Sequence, residues 1–336
     1  MAGLGQAAVL AVDAGNSKTD VVVVSAAGDL LGSARGEGFH PHVIGAERAV
    51  SDLHTLVQKA AAAAGLPGAR GIVQHVSACL ANADVPLEVE RLATALGRRG
   101  WGHSVAVLND TDALLRAGLD ASHGVAVVCG AGTNCTARGR DGREARFAAV
   151  GHISGDWGGG GFLWSEAMWW AARAADGRGP ATALSDALPA HYGLESMAAL
   201  VEAVHLGQLP ADRCVEMTPL LFEVAQAGDP VAAGVVRRQA EEVVAFVVAA
   251  LRRLDALDEP MDVALGGGVL TAGHRLLLDT VATLLAEQAP RATARVVPVP
   301  PVLGAALLGL DRLGADDAAK ARLRAAYEVP AQASTK

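Results

Sequence analysis

Two glycine turns carry side chains that suit phosphate chemistry. The first turn, DAGNSKT, runs from Asp13 to Thr19 between two apolar segments with the character of strands. A tight turn of this kind exposes backbone N–H groups and small hydroxyls, which bind phosphate oxygens. Asp13, at the end of the preceding strand, suits a hydrated Mg²⁺, because this ion prefers one or two carboxylates and keeps several waters. A plain glycine hairpin explains this turn, taken alone, equally well.

The second turn, GAGTNCT, begins at Gly130 and aligns with the first at an offset of about 117 residues. In both places the order is strand, glycine turn, strand, second turn and strand. A unit repeated about one domain apart predicts two similar α/β domains that face each other across a cleft. Two such turns could clamp a triphosphate from both sides, so the pair favours phosphate binding over two unrelated hairpins.

A carboxylate follows the predicted strand SVAVLN, where Asp110 begins the next predicted helix. Capping the helix is the commonest role for an aspartate at such a position, and Asp112 could cap it equally well. The repeat, however, predicts that this strand end shares the cleft with both turns. A carboxylate there could accept the proton of an attacking hydroxyl.

Two further glycine-rich segments are candidates for ligand binding. The run GHISGDWGGGG, residues 151–161, precedes a predicted helix, and its Asp156 could hydrogen-bond sugar hydroxyls. The segment LGGGV, residues 265–269, follows a buried strand. Its three glycines would let the backbone approach a flat ligand such as adenine-ribose, although a glycine-lined turn from strand to helix is the alternative.

Composition limits the class of protein. The 336 residues have a formal net charge of −8, which argues against a nucleic-acid or anionic-membrane surface. Hydrophobic residues make up 51% and charged residues 19%, so the chain can form two domains with substantial cores. The four cysteines form no CxxC pair, and the N-terminus lacks the basic region of a signal peptide. We therefore expect a cytoplasmic protein with no membrane span.

In this order, the motifs resemble the sugar kinase/actin/Hsp70 ATPase superfamily. Within it, they resemble the N-acetylglucosamine kinase branch of the BadF/BadG/BcrA/BcrD ATPase family over about residues 9–310. The resemblance rests on DAGNSKT, LND with Asp110, CGAGTNC, GHISGD and LGGGV. It implies an α/β fold with two ribonuclease-H-like (actin-like ATPase) domains and a central cleft. One domain is expected at 1–116, completed by a C-terminal helix at about 302–328, and the other at 117–301.

The same resemblance implies an ATP-dependent kinase for the 6-hydroxyl of an amino sugar, above all N-acetylglucosamine, and a homodimer. Asp110 resembles the catalytic base, and Asp13 resembles the residue that holds Mg²⁺ through water. The implied substrate-binding residues are Asp110, Asn134, Gly151, Asp156, His40 and Asn82. The implied ATP-binding residues are Gly15, Asn16, Ser17, Lys18, Gly132, Thr133, Gly267 and Gly268.

The chain departs from the family pattern at three places. Ala131 stands where a threonine is common, His40-Pro41-His42 replaces an Asn-His pair, and Trp157 replaces a glutamate. The last two changes concern the sugar pocket, so glucosamine, N-acetylmuramate or another hexose is an alternative substrate. A second alternative is an ATPase activator or sensor of the same family. That role needs cysteine ligands at a dimer face, and Cys79 and Cys214 lie in no such motif.

Overall fold

The computed structural model describes residues 7–66, 68 and 70–328, with every side chain except that of Ala211. These residues form two compact units. The first unit contains the described residues up to Ala126 and those from Val297 onward, and the second contains Val127–Val296. Each unit has one five-stranded sheet with helices beside it.

In the first unit the sheet order is β3-β2-β1-β4-β5. β1 pairs antiparallel with β2 and parallel with β4, and β5 runs parallel to β4. The parallel strands therefore bring the ends of β1, β4 and β5 to one edge of the sheet. The elements in chain order are β1 (Ala7–Ala14), β2 (Lys18–Ser25), β3 (Leu30–Glu37), α1 (Pro41–Ile44), α2 (Ala46–Ala63), β4 (Val73–Leu80), α3 (Pro86–Arg99), β5 (Gly102–Asn109) and α4 (Asp110–Gly118).

The second unit has the sheet order β10-β9-β6-β7-β8, in which each strand has the same neighbours as its counterpart in the first sheet. β7 pairs antiparallel with β8, as β2 does with β3. β9 pairs parallel with β10, as β4 does with β5. The repeat predicted from the two turns is thus a repeat of topology. The elements are β6 (Gly124–Cys129), β7 (Thr133–Arg138), β8 (Glu144–Arg146), α5 (Gly160–Ala175), α6 (Leu184–His191), α7 (Met197–His205), α8 (Ala211–Cys214), α9 (Met217–Gln226), α10 (Pro230–Arg253), β9 (Met261–Gly266), α11 (Gly268–Thr271), α12 (Arg275–Gln288) and β10 (Ala292–Val296).

Helices α13 (Pro301–Arg312) and α14 (Asp317–Ala325) return to the first unit. Alternate residues of β1 point to opposite faces of the sheet. Leu10 joins the core formed with α2 and α3, whereas Val9 joins the core formed with α13. Because both faces are covered, β1 is an uninterrupted apolar run up to Asp13. In the part of the chain that the structure describes, no helix is long and apolar enough to cross a bilayer.

Candidate functional site

The first glycine turn is tied to the segment that follows β3. The Gly15 N–H donates to the Lys18 carbonyl at 2.9 Å and closes the turn, while the Gly15 carbonyl accepts from the Phe39 N–H at 2.9 Å. Gly38 lies so close that a Cβ there would be 2.2 Å from the Asn16 carbonyl oxygen. The turn and residues 38–39 therefore form one continuous surface, on which Ser17 and Lys18 are exposed.

Asn82 fastens this surface from the end of β4. Its amide nitrogen donates to Asn16 Oδ1 at 2.8 Å and to the Phe39 carbonyl at 3.3 Å. Its φ of 64° is unusual for a residue other than glycine, and such strain is frequent at functional sites. His40, the next residue of the same segment, is exposed, and a cavity of about 540 Å³ opens between it and α2. The predicted substrate contacts of Asn82 and His40 stay predictions.

Asp13 ends β1 as a carboxylate that is only 8% exposed. Burial raises its pKa to about 8, and the nearby charges of Asp110 and Asp20 add to the rise. Lys18 and Arg35 lower it to a smaller extent. A buried carboxylate with this unfavourable charge is stabilised by a cation, so the surroundings of Asp13 fit the predicted magnesium site.

Three polar residues, Asn109, Asp110 and Asp112, lie at the start of α4. Asn109 is the N-cap: its Oδ1 accepts from the N–H and the hydroxyl of Thr111, at 3.1 and 2.7 Å. Asp112 completes a capping box, because its carboxylate accepts from the Asn109 N–H at 3.2 Å. Asp110 occupies the first helical position, one residue after the N-cap. The capping alternative for Asp110 is therefore wrong, since its neighbours satisfy the helix end.

The half-buried Asp110 carboxyl has a pKa raised to about 6. Burial is the main cause, the charge of Asp112 adds to it, and the N–H of Thr111 opposes it. A carboxyl with this pKa is ionised at neutral pH and close enough to it to act as a general base. The first unit thus brings Asp13 and Asp110 together at one edge of its sheet, as the strand ends predicted.

The second glycine turn is held by the start of α5. The N–H groups of Gly160 and Gly161 donate to the carbonyls of Gly130 and Ala131, at 2.7 and 3.0 Å. In a trans peptide the N–H points opposite to the C=O. The amides that follow these carbonyls, those of Ala131 and Gly132, therefore point away from α5. Two adjacent N–H groups on one side of a turn form an anion-binding surface.

Close packing of glycines makes this arrangement possible. Gly159, at the N-cap of α5, has φ 83°, and a Cβ there would lie 2.5 Å from the Gly132 Cα. Gly267, after β9, also has positive φ, and a Cβ there would lie 2.4 Å from the carbonyl carbon of Cys129. Both glycine-rich loops thus pack closely against the backbone at the second glycine turn. A short helix, α11, begins directly after Gly267, and α12 follows it at Arg275.

The loop before α5 holds the predicted sugar contacts Gly151 and Asp156. The Asp156 N–H donates to the Gly151 carbonyl at 3.0 Å, so the loop closes on itself. The hydroxyl of Ser154 donates to the Asp156 carboxylate and accepts from the Val150 N–H at 2.8 Å. Asn134, on β7, accepts the Cys135 N–H through its own Oδ1 at 2.7 Å.

Sequence reasoning missed three side chains that shape these surfaces. Asp20 binds Arg35 beside Asp13, Ser154 orients Asp156, and Gln239 of α10 accepts the Gly159 N–H at 2.8 Å. A signal existed only for Gln239, which is a single amide within the buried apolar stripe of α10. A polar residue in such a stripe needs a buried partner.

Two curated proteins have sequences similar to that of this chain. The chain is 26% identical over 182 residues to an N-acetylmuramic acid/N-acetylglucosamine kinase of Clostridium acetobutylicum, a match that covers 54% of this chain and 58% of that kinase. It is 24% identical over 317 residues to the N-acetyl-D-glucosamine kinase of Dictyostelium discoideum, with 90% of this chain and 97% of that protein covered.

Among solved structures, a candidate N-acetylglucosamine kinase of Chromobacterium violaceum superposes with a TM-score of 0.73 at 22% identity. The match covers 92% of this chain and 100% of that one. This likeness confirms the predicted α/β class with two ribonuclease-H-like domains of the actin-like ATPase type. The sequence pattern of one family matches residues 10–309, nearly the whole chain. The protein belongs to the BadF/BadG/BcrA/BcrD ATPase family.

Proposed function

We propose that this protein is an ATP-dependent amino sugar kinase that phosphorylates the 6-hydroxyl of N-acetylglucosamine. The observation that carries the proposal is the role of Asp110. Its neighbours Asn109 and Asp112 form the capping box of α4, whereas Asp110 lies one residue after the N-cap and has a pKa raised to about 6. A general base for an alcohol needs this combination of an available carboxylate and a pKa near the working pH.

The residues of the second unit support the ATP half of the reaction. The outward amides of Ala131 and Gly132 suit phosphate oxygens, and Thr133 adds a hydroxyl at the start of β7. Gly267 packs on the Cys129 backbone just before the same turn, and Gly268 follows it in the chain, where the family resemblance predicts adenosine. Phosphoryl transfer depends mainly on such positioning and on neutralising charge.

The residues of the first unit support the sugar and metal half. Asp13 would hold Mg²⁺, directly or through water, and the ion when bound neutralises phosphate charge. Asp110 would orient the sugar hydroxyl and take its proton. Gly15, Asn16, Ser17 and Lys18 of the first turn are proposed to bind ATP, and Ser17 and Lys18 have exposed side chains. Five residues are proposed to contact the sugar: His40 and Asn82 of the first unit, and Asn134, Gly151 and Asp156 of the second.

The sugar is proposed as N-acetylglucosamine because both curated relatives have this sugar in their names. The Clostridium relative is also named for N-acetylmuramic acid, so that sugar is the first competitor. We also propose, from the family resemblance, a homodimer in the cytoplasm. Sedimentation at several protein concentrations would test the dimer.

The proposal is tested by coupled ADP release with Mg²⁺ and a panel of N-acetylglucosamine, N-acetylmuramate, glucosamine and glucose. We expect the highest kcat/KM with N-acetylglucosamine, and phosphorus-coupled NMR signals at C6 of the product. Asp110→Asn, assayed in parallel, controls for a contaminating kinase. ADP release that no sugar stimulates would overturn the kinase proposal, and phosphate at the anomeric carbon would overturn the proposed acceptor.

A further inference from the structure

Gln239 lies in the middle of α10, on the face buried in the second unit. Its nearest neighbours on this face are apolar, and the residue itself has no solvent exposure. Placing an amide in such surroundings is unfavourable unless its hydrogen-bonding groups are satisfied. The side chain is therefore expected to have a specific partner for both ends of its amide.

One end of the amide has such a partner. Gln239 Oε1 accepts the Gly159 N–H at 2.8 Å, so Gln239 anchors the glycine that packs on the second turn. The other end does not: among the residues that the structure describes, Gln239 Nε2 has no hydrogen-bond partner. This is an unsatisfied buried donor, and leaving one costs free energy.

The Thr133 hydroxyl borders the space beside this donor. A Cβ at Gly158 would lie 2.6 Å from Gln239 Nε2 and 2.8 Å from Thr133 Oγ1, so the two atoms border the same small space. Gly158 keeps that space open, because its φ of 115° and these contacts exclude a side chain. The amide and the hydroxyl are thus neighbours that are not bonded to each other.

In this structure, the Thr133 hydroxyl donates its hydrogen bond to a weak acceptor. It donates to the Cys129 sulfur at 3.5 Å, and a thiol sulfur accepts hydrogen bonds weakly. A hydroxyl has one hydrogen and two lone pairs. If the hydrogen turns from Cys129 to a phosphate oxygen, the lone pairs of Oγ1 turn with it, and one of them can then face Gln239 Nε2.

We propose that Gln239 is a positioning residue for the second phosphate turn. It holds Gly159 through Oε1, and it supports the Thr133 hydroxyl through Nε2 once that hydroxyl donates to a nucleotide phosphate. The inference rests on the proposed function for the role of Thr133. Its consequence is specific: Gln239 contributes to nucleotide affinity, because its second hydrogen bond forms only in the nucleotide complex, and it does not contribute to sugar affinity.

The test compares Gln239→Met, Thr133→Val and the double variant by calorimetric binding of AMP-PNP with Mg²⁺, followed by steady-state kinetics. Gln239→Met keeps the side-chain length and removes both hydrogen bonds. We expect about tenfold weaker AMP-PNP binding and a similar rise in KM for ATP, with KM for sugar within about twofold. The double variant should bind about as weakly as Thr133→Val, since both changes remove one network.

Thr218→Val is the matched structural control. The Thr218 hydroxyl donates to the Gly160 carbonyl at 3.1 Å and is buried at the same end of α5. We expect this variant to unfold at a lower temperature but to keep wild-type AMP-PNP affinity. If Thr218→Val weakens nucleotide binding as much as Gln239→Met, Gln239 is only a structural residue and the inference is overturned.

A crystal structure of the wild-type protein with AMP-PNP tests the geometry even if Gln239→Met does not fold. A Gln239 Nε2 to Thr133 Oγ1 distance of about 3 Å supports the inference. A longer distance, or a water on Nε2 in place of the hydroxyl, overturns it. Wild-type protein that binds no nucleotide would overturn the proposed function together with the inference. Wild-type binding that Gln239→Met leaves unchanged would overturn the inference alone.

Discussion

Asp13 on β1 lies directly opposite Asp20 on β2, so two buried carboxylates share one cross-strand pair. The Asp20 carboxylate accepts two hydrogen bonds from Arg35, from Nε at 2.6 Å and from Nη2 at 3.0 Å. Like charges that face each other in a sheet are destabilising unless a counter-charge is near. Arg35 binds Asp20, while burial, followed by the charges of Asp110 and Asp20, raises the pKa of Asp13.

Asp13→Asn should therefore stabilise the protein at neutral and alkaline pH. The pKa of Asp13 is raised from 3.8 to about 8, so folding becomes less favourable as pH rises through this window, where only the unfolded state has ionised Asp13. The asparagine does not titrate. In buffer with EDTA we expect its gain to be small near pH 4 and at least about 1 kcal/mol, or about 2 °C in Tm, at pH 8.

Activity and stability should separate in this variant. Asp13→Asn removes the carboxylate that is proposed to hold Mg²⁺, so we expect a strong fall in kcat. Thermal unfolding at pH 5 and pH 8 measures the gain in stability. Asp20→Asn is the matched comparison, because it leaves Arg35 without its partner and should be less stable than wild type at both pH values. A lower Tm for Asp13→Asn at pH 8 would contradict the account of Asp13.

Asp110→Asn should lower kcat about 10²–10⁴-fold, which is the usual contribution of a general base, while the fold is kept. The neighbouring Asp112→Asn should do the opposite. It weakens the capping box of α4, so we expect about 0.5–2 kcal/mol lower stability and a kcat within a few-fold of wild type. Kinetics and thermal unfolding of both variants decide the matter. Equal kcat values for the two would show that position 110 has no special part in catalysis.

The pH dependence of the wild-type enzyme should reflect Asp110. Its pKa is raised to about 6, and the base acts only when ionised. The rate kcat/KM for the sugar should thus be constant above about pH 7 and fall about tenfold for each unit below pH 6. Asp110→Asn should lose this inflection in its residual rate. An acidic inflection near pH 4 in the wild type would mean that the pKa of the Asp110 carboxyl is not raised in the free enzyme.

Local patterns predicted the strands, both glycine turns and their repeat. The sequence of β1 is apolar up to Asp13, and the turn that follows has glycine where the backbone must bend. These features depend on neighbours in the chain. Aligning one turn with the other predicted two similar α/β domains, and the two sheets indeed share one strand order.

Which of the polar residues at the start of α4 form its cap could not be predicted in this way. Asn109, Asp110 and Asp112 all have side chains that cap helices, and only their directions show which of them do so. The same limit applies to Asp20 and Arg35, which meet across two strands, and to Gln239, which meets Gly159 from 80 residues away. Such contacts depend on the packing of elements, which a single sequence does not display.

Gly159→Ala tests the packing of α5 on the second turn. Gly159 has φ 83° and ψ 169°, a conformation that residues with a side chain avoid at a cost of about 1–3 kcal/mol. A Cβ would also overlap the Gly132 backbone. We expect Tm to fall by at least about 4 °C and KM for ATP to rise about tenfold or more, because the turn must move.

Gly234→Ala is the control for this change. Gly234 lies on the exposed side of α10, with nothing within 4 Å of an added Cβ, so alanine should stabilise the helix by about 0.5–1 kcal/mol and leave KM for ATP unchanged. If Gly159→Ala behaved like Gly234→Ala, the turn would tolerate a side chain beneath it. The hydrogen bonds from α5 would then not be what directs the amides of Ala131 and Gly132 outward.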